Sequence, residues 1–321
     1  MKRIAYYLCL ISPFLILPLS LVIGPVAIPL EDIFRLFSGH YPSTFGLIVL
    51  NIRLPRILLA MEIGAALSVS GAVLQAIFQN PLVDTYILGI AAGGGFGTTL
   101  AFLIGFSWQV APFAFACALL AVVITCYLAK VKEAITPISL VLAGIIVNAF
   151  FSAGTSLFKI FLSHERLAEV IYWLMGSLSN ADWRQVKFSL PLVILCLTLV
   201  FLMRWRLNVL SLNETMVNNK IKLAFIGLVS LMTAISVAVC GIVGWIGLII
   251  PHLIRMGFGA DHKRLIPLSA TLGATMLVAA DDLARSMTPY EIPLGLITAL
   301  LGLPFFAYLL KKTGGGWNAQ S

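Results

Sequence analysis

The chain has 321 residues, 60% of them hydrophobic and only 11% charged, against about 45–50% and about 25% in a soluble domain. With a mean hydropathy of +1.02, its surface suits lipid, which excludes a secreted disulfide scaffold, a disordered chain and a nucleic-acid binder inferred from the isoelectric point of about 9.4. The formal net charge of +8, from 21 Lys and Arg against 13 Asp and Glu, bears on membrane orientation instead.

A bilayer core takes about 20 apolar residues per helix. Ten runs fit, approximately Tyr6–Ile28, Ile57–Phe78, Tyr86–Phe106, Val110–Ala129, Ile138–Phe161, Phe188–Met203, Leu223–Cys240, Gly244–Phe258, Ile266–Ala284 and Ile292–Leu310. The first follows Lys2 and Arg3 and is too long for a signal peptide without a cleavage site, so it reads as a retained span. Ten spans put both ends on one side. With the N-terminus inside, Lys2, Arg3, Lys130, Lys132, Arg204, Arg206, Lys220, Lys222, Arg255, Lys263, Arg264, Lys311 and Lys312 are cytoplasmic. Arg35, Arg53, Arg56, Lys159, Arg166, Arg184, Lys187 and Arg285 are then left outside. The bias favours cytoplasmic N- and C-termini. The whole chain reads as one transmembrane domain, residues 1–321, with its longest cytoplasmic loop at about 204–222 and a flexible tail at 313–321. Cys9, Cys117, Cys126, Cys196 and Cys240 lie inside apolar runs and read as buried, inert thiols.

In the second run Gly64, Ser68, Gly71 and Gln75 share one helical face. Such a stripe serves close helix packing or lines a polar pathway. Glu62 lies off that stripe, and an intramembrane carboxylate is a candidate for a pathway role or for a buried partner such as a lysine, an arginine or a backbone group. The Asn80-Pro81 step marks a tight reversal. The glycines from Gly89 to Gly97 lack the Gly-Lys-Ser/Thr ending of a phosphate loop and suit close packing. His252 stands beside Pro251 with no second ligand at metal spacing, which points to a packed or interfacial histidine. Asp281 and Asp282, with Arg285 and Glu291, flank the turn between the last two spans and read as a solvated, internally paired turn.

Arg53-Leu54-Pro55-Arg56, Ser70-Gly71 with Gln75, Asn80-Pro81-Leu82 with Asp84, and Leu88-Gly89 follow one another in a recognisable order. Ala143-Gly144, Trp173 with Met175-Gly176-Ser177, Gly247-Leu248-Ile249-Ile250-Pro251-His252, Asp261-His262-Lys263-Arg264 and Glu291-Ile292-Pro293 through Phe305-Phe306 continue it. In order and spacing the set resembles the FecCD family, the ten-span permeases of binding-protein-dependent ABC importers for iron–siderophore complexes, haem, cobalamin and some oxyanions. The resemblance implies an all-α polytopic membrane protein with about ten transmembrane helices, the type II ABC importer fold. It implies a cytoplasmic gate at Asn80, Pro81 and Leu82 facing Thr136, Pro137 and Ile138. It implies ATPase coupling through Leu212, Asn213, Glu214, Thr215 and Met216, although Asn213 replaces the usual glycine and the loop is about five residues short. Thr85 likewise replaces the usual proline after Asp84. Arg53, Arg56 and Arg285 match docking arginines for the binding protein, and Glu62, Ser68 and Gln75 stand as pathway candidates.

The implied assembly is a permease homodimer with two ATP-binding subunits inside and a substrate-binding protein outside, in the cell (inner) membrane. No metal, cofactor or nucleic acid is called for, and without a Walker motif the chain is not itself an ATPase. An iron–siderophore complex is the substrate expected from the family, with haem, cobalamin or molybdate as alternatives. A proton-driven carrier using Glu62, Asp84 or Asp281, or a polytopic membrane enzyme, are the rivals of another class.

Overall fold

A computed structural model describes residues 2–26, 28–29, 44–131, 134–212, 218–288 and 290–313. The helices are α1 (Lys2–Val22), α2 (Leu54–Ile77), α3 (Ile90–Leu103), α4 (Val110–Ala129), α5 (Pro137–Ile160), α6 (His164–Leu174), α7 (Trp183–Leu212), α8 (Asn219–Cys240), α9 (Ile246–Phe258), α10 (His262–Ser286) and α11 (Leu294–Thr313). A two-residue antiparallel ladder pairs Lys130 with Ile135 and Val131 with Ala134 between α4 and α5. Every expected apolar run is a helix, and α6 is an additional short helix in the connection before α7. Among the described residues seven helical segments are long and apolar enough to cross a membrane, while α3, α9 and the Leu294–Tyr308 part of α11 are shorter.

Helix α2 is the axis of the bundle. Of its apolar window 89% is buried, against 11% for α1. It packs on α10, α7, α8 and α9, and α1 lies against α10. The small-residue stripe explains how so many neighbours fit. A Cβ on Gly64 would stand 2.2 Å from the Gly273 carbonyl oxygen, and one on Gly273 would stand 2.3 Å from that of Gly64. About two turns on, a Cβ on Gly71 would stand 1.8 Å from the Gly247 carbonyl oxygen. Backbone meets backbone at both crossings, as small residues permit in lipid. At Gly64 and Gly71 the stripe serves packing.

Helical backbone leads into α2 from well before the apolar run that begins at Ile57. Pro55 does not break the chain there, because helix Thr44–Ile48 and a π-helical turn, Val49–Arg53, run straight into α2. The wider π turn sends the Leu54 amide back to the Val49 carbonyl. Pro55 has no amide to offer Leu50 in the same pattern. The Leu50 carbonyl is satisfied instead by the indole N–H of Trp183 at 2.8 Å.

Replacing Gly64 by Ala should therefore lower the thermal unfolding midpoint of the detergent-solubilised protein, at about 1–3 kcal/mol for an overpacked contact. Gly227→Ala, in α8 with nothing within 4 Å of the new Cβ, should leave it unchanged or raise it slightly. Equal midpoints for the two variants would contradict the backbone contact.

Candidate gate and far-end charge cluster

The bundle has two chemically distinct ends. At the end bearing the termini, α2 finishes and the chain turns through Gln79, which has a positive φ of 49°. The Asn80 amide returns to the Gln75 carbonyl (3.1 Å). The Asn80 side chain accepts the Leu82 amide at 2.9 Å, an Asx turn that holds the reversal before α3. Across from it, Thr136 caps α5 by accepting the Ser139 amide at 3.2 Å, with Pro137 at the first turn. The two predicted gate segments meet: Asn80, Pro137 and Ile138 share the lining of one cavity of about 260 Å³ with Phe78, Val83 and Val141. Pro81, Leu82 and Thr136 sit on the same two turns beside it.

Helices α3 and α9 rise only about 20 Å, short of a hydrocarbon core of about 30 Å. The missing length is irregular backbone, Asn80–Gly89 and Gly241–Trp245, and its polar groups find partners inside the protein. Gln75 donates to the carbonyls of Val83 (3.3 Å) and Gly247 (3.2 Å) and accepts from Arg255 at 2.5 Å. Tyr86 donates to the Val243 carbonyl at 2.8 Å and accepts the Val243 amide at 3.1 Å. Thr125 donates to the Leu88 carbonyl at 3.0 Å. Asp84 accepts from the amide of Thr85 at 2.7 Å and from its hydroxyl at 3.2 Å. His252 is buried, packed against the rings of Phe305 and Phe306.

Two further contacts tie this region to the end of α7. Gln79 donates to the Leu210 carbonyl at 3.0 Å. Asn208 donates to the Asp261 carboxylate at 2.8 Å and accepts the His262 amide at 2.9 Å. The Lys263 amide, then Asn208, hold the Asp261 carboxyl below its ordinary range, and Asp261 caps α10. Leu212, the last residue of α7, is 85% exposed. Asn213, Glu214, Thr215 and Met216 lie outside the described residues. Gln79 was not singled out in the sequence, although a glutamine closing a long apolar run beside Asn-Pro is a signal.

The far end gathers the three arginines expected at a docking surface, and each is buried: Arg53 is 3% exposed, Arg56 8% and Arg285 6%. Arg56 grips Asp281 with two parallel bonds, 2.8 and 2.7 Å, and also donates to Glu291. Arg285 donates to Asp282, to the Ser20 carbonyl (2.7 Å) and to the Ser20 hydroxyl (2.8 Å). Arg53 donates to the carbonyls of Leu21 (2.6 Å), Val22 (2.9 Å) and Val26 at the end of α1. The turn is internally paired, as its sequence suggested, but Asp281 and Asp282 are buried where solvation was expected. Charges this far from water persist only when paired and hydrogen-bonded. Glu62 is also buried, and its partner is neither cation nor backbone: it accepts from the Ser189 hydroxyl of α7 at 3.0 Å. Glu62, Ser68 and Gln75 are enclosed by neighbouring helices, and none lines either described cavity.

Comparison with known proteins agrees with this architecture. The FecCD transport family matches residues 11–312. A probable iron chelatin transport system permease protein of Helicobacter pylori is 39% identical over 279 residues, covering 85% of each chain. The molybdate import system permease protein MolB of Haemophilus influenzae is 39% identical over 282 residues, covering 84% of this chain and 83% of its own. A solved structure described as an inward-facing conformation of a metal-chelate type ABC transporter superposes with a TM-score of 0.87 at 33% identity, covering 97% of this chain and 99% of its own. A match over nearly the whole length places this chain in the FecCD transport family.

Proposed function

We propose that this chain is the permease subunit through which an ABC importer carries an iron–siderophore complex. The observation that supports the reading best is the meeting of the Asn80 and Pro137 turns around one cavity, in a chain similar throughout to metal-chelate and iron chelatin permeases. Its assembly would be a homodimer with two ATP-binding subunits at the termini end, the cytoplasmic side of the inner membrane, and a substrate-binding protein at the far end. The similarity to a molybdate permease keeps an oxyanion as the alternative cargo. Transporter reconstituted with its ATPase and binding protein should accumulate a radiolabelled ferric siderophore only with ATP. Accumulation driven by a proton gradient without ATP would reject the reading, and uptake of molybdate but no chelate would reject the cargo.

In this reading the segment from Leu212 to Met216 receives the ATPase. Movement there would reach the gate through α7, whose Leu210 carbonyl is held by Gln79, next to Asn80. Gln79→Leu should cut ATP-driven uptake about five-fold, as one lost hydrogen bond suggests, while ATP hydrolysis persists. Uptake and hydrolysis that stay in the wild-type ratio would remove Gln79 from the coupling route.

Arg53, Arg56 and Arg285 act in this reading first as a clamp on the far ends of α1, α2 and α10. A carboxylate on a docking partner would compete with Asp281, Asp282 and Glu291 for the same guanidinium groups. Arg56→Glu should therefore destabilise the permease by about 3 kcal/mol or more, since it removes the bidentate partner of buried Asp281 and sets a like charge beside it, and lower its thermal midpoint in detergent. A variant that melts like wild type but captures binding protein more slowly would make docking the primary role.

A further inference from the structure

The termini end holds a second cavity, of about 660 Å³, that the gate does not use. Arg3 and Tyr6 of α1, Arg255 and Phe258 of α9, and Arg264 of α10 contribute to its wall, and no acidic residue does. The side-chain ion pairs among the described residues lie at the far end, so none of these three guanidinium groups has a carboxylate partner among them. Arginines gathered without a counter-charge favour an anion, and their planar donors suit phosphate.

The remaining wall identifies the rest of the ligand. Tyr6 packs edge-on against Tyr7 (5.6 Å between ring centres) and Phe258 (6.1 Å). Tyr7 is 64% exposed and Met256 57%. From here α1 presents Leu8, Ile11, Phe14 and Leu15 outward along its length. The cavity thus lies where the outermost span meets the bilayer, with tyrosines at its rim as at a membrane interface. We propose that it binds the headgroup of an anionic phospholipid, the phosphate against Arg3, Arg255 and Arg264 and the acyl chains along α1. Basic pockets between spans suit such headgroups. The inference rests on the membrane-spanning fold and not on which substrate crosses.

Arg255 gives the site a reach beyond anchoring. The same guanidinium donates to Gln75, whose amide holds the Val83 and Gly247 carbonyls. A phosphate on Arg255 is therefore one side chain away from the turn that carries Asn80.

The test uses the assembled, delipidated transporter in detergent, titrated with phosphatidylglycerol, phosphatidylcholine or inorganic phosphate and read by native mass spectrometry. Phosphatidylglycerol should bind in preference to phosphatidylcholine. The double variant Arg3→Ala, Arg264→Ala should bind it roughly thirty-fold more weakly, and Arg3→Lys with Arg264→Lys should keep most of the binding. If the alanine pair does not assemble, Arg264→Gln alone should lose about five-fold. Equal binding of the two lipids, or unchanged binding in the alanine and glutamine variants, would overturn the site. Displacement of the lipid by millimolar inorganic phosphate would make it a free-anion site, and cross-linking of the pocket to an ATPase subunit with no lipid bound would make it a protein contact. Either result also overturns the proposal.

Discussion

An unpaired amide or carbonyl inside a bilayer costs several kcal/mol, so irregular backbone survives at that depth only where the protein itself supplies partners. The structure around the Asn80 turn depends on this constraint. Two helices stop short of the full span, and the gaps are filled by Asn80–Gly89 and Gly241–Trp245. Gln75, Tyr86 and Thr125 are the side chains that make those gaps tolerable. Each reaches from one element to the backbone of another, so the turn bearing Asn80 is fixed by a regular helix on one side and an irregular segment on the other. A turn held by a few directed bonds can exchange them for others, whereas a packed helix cannot rearrange without disturbing its whole face.

The two ends handle charge in opposite ways. At the far end Arg56 and Arg285 are paired with Asp281, Asp282 and Glu291 within the protein, and Arg53 is held by backbone carbonyls. At the termini end Arg3, Arg255 and Arg264 line a cavity that no acidic residue shares. Of the outward basic residues counted from sequence, Arg56 and Arg285 are thus offset by neighbouring acids.

Much of the architecture is legible in the sequence because lipid imposes a simple pattern. Apolar runs become helices, and turn residues such as Asn80-Pro81 and Thr136-Pro137 mark where helices stop and start. What is not legible are partners distant in the chain. Arg56 and Asp281 are 225 residues apart and Glu62 and Ser189 are 127 apart. Nothing local distinguishes an arginine awaiting a partner protein from one already bound to an aspartate. Pro55 adds a further case: a π turn absorbs it, and the carbonyl this strands is capped by Trp183, 133 residues away.

That Trp183 contact is one of three that join α2 and α7 along their length. Leu50 with Trp183, Glu62 with Ser189, and Gln79 with Leu210 lie at 2.8, 3.0 and 3.0 Å. They sit at the far end, partway along and the termini end of two segments that run in the same direction. Three attachments spread along a shared axis suppress sliding and twisting of one helix against the other, since either motion would break all three together. The freedom that remains is a common tilt. A displacement of the end of α7 would therefore carry the Asn80 turn with it, because the Gln79–Leu210 bond joins the two.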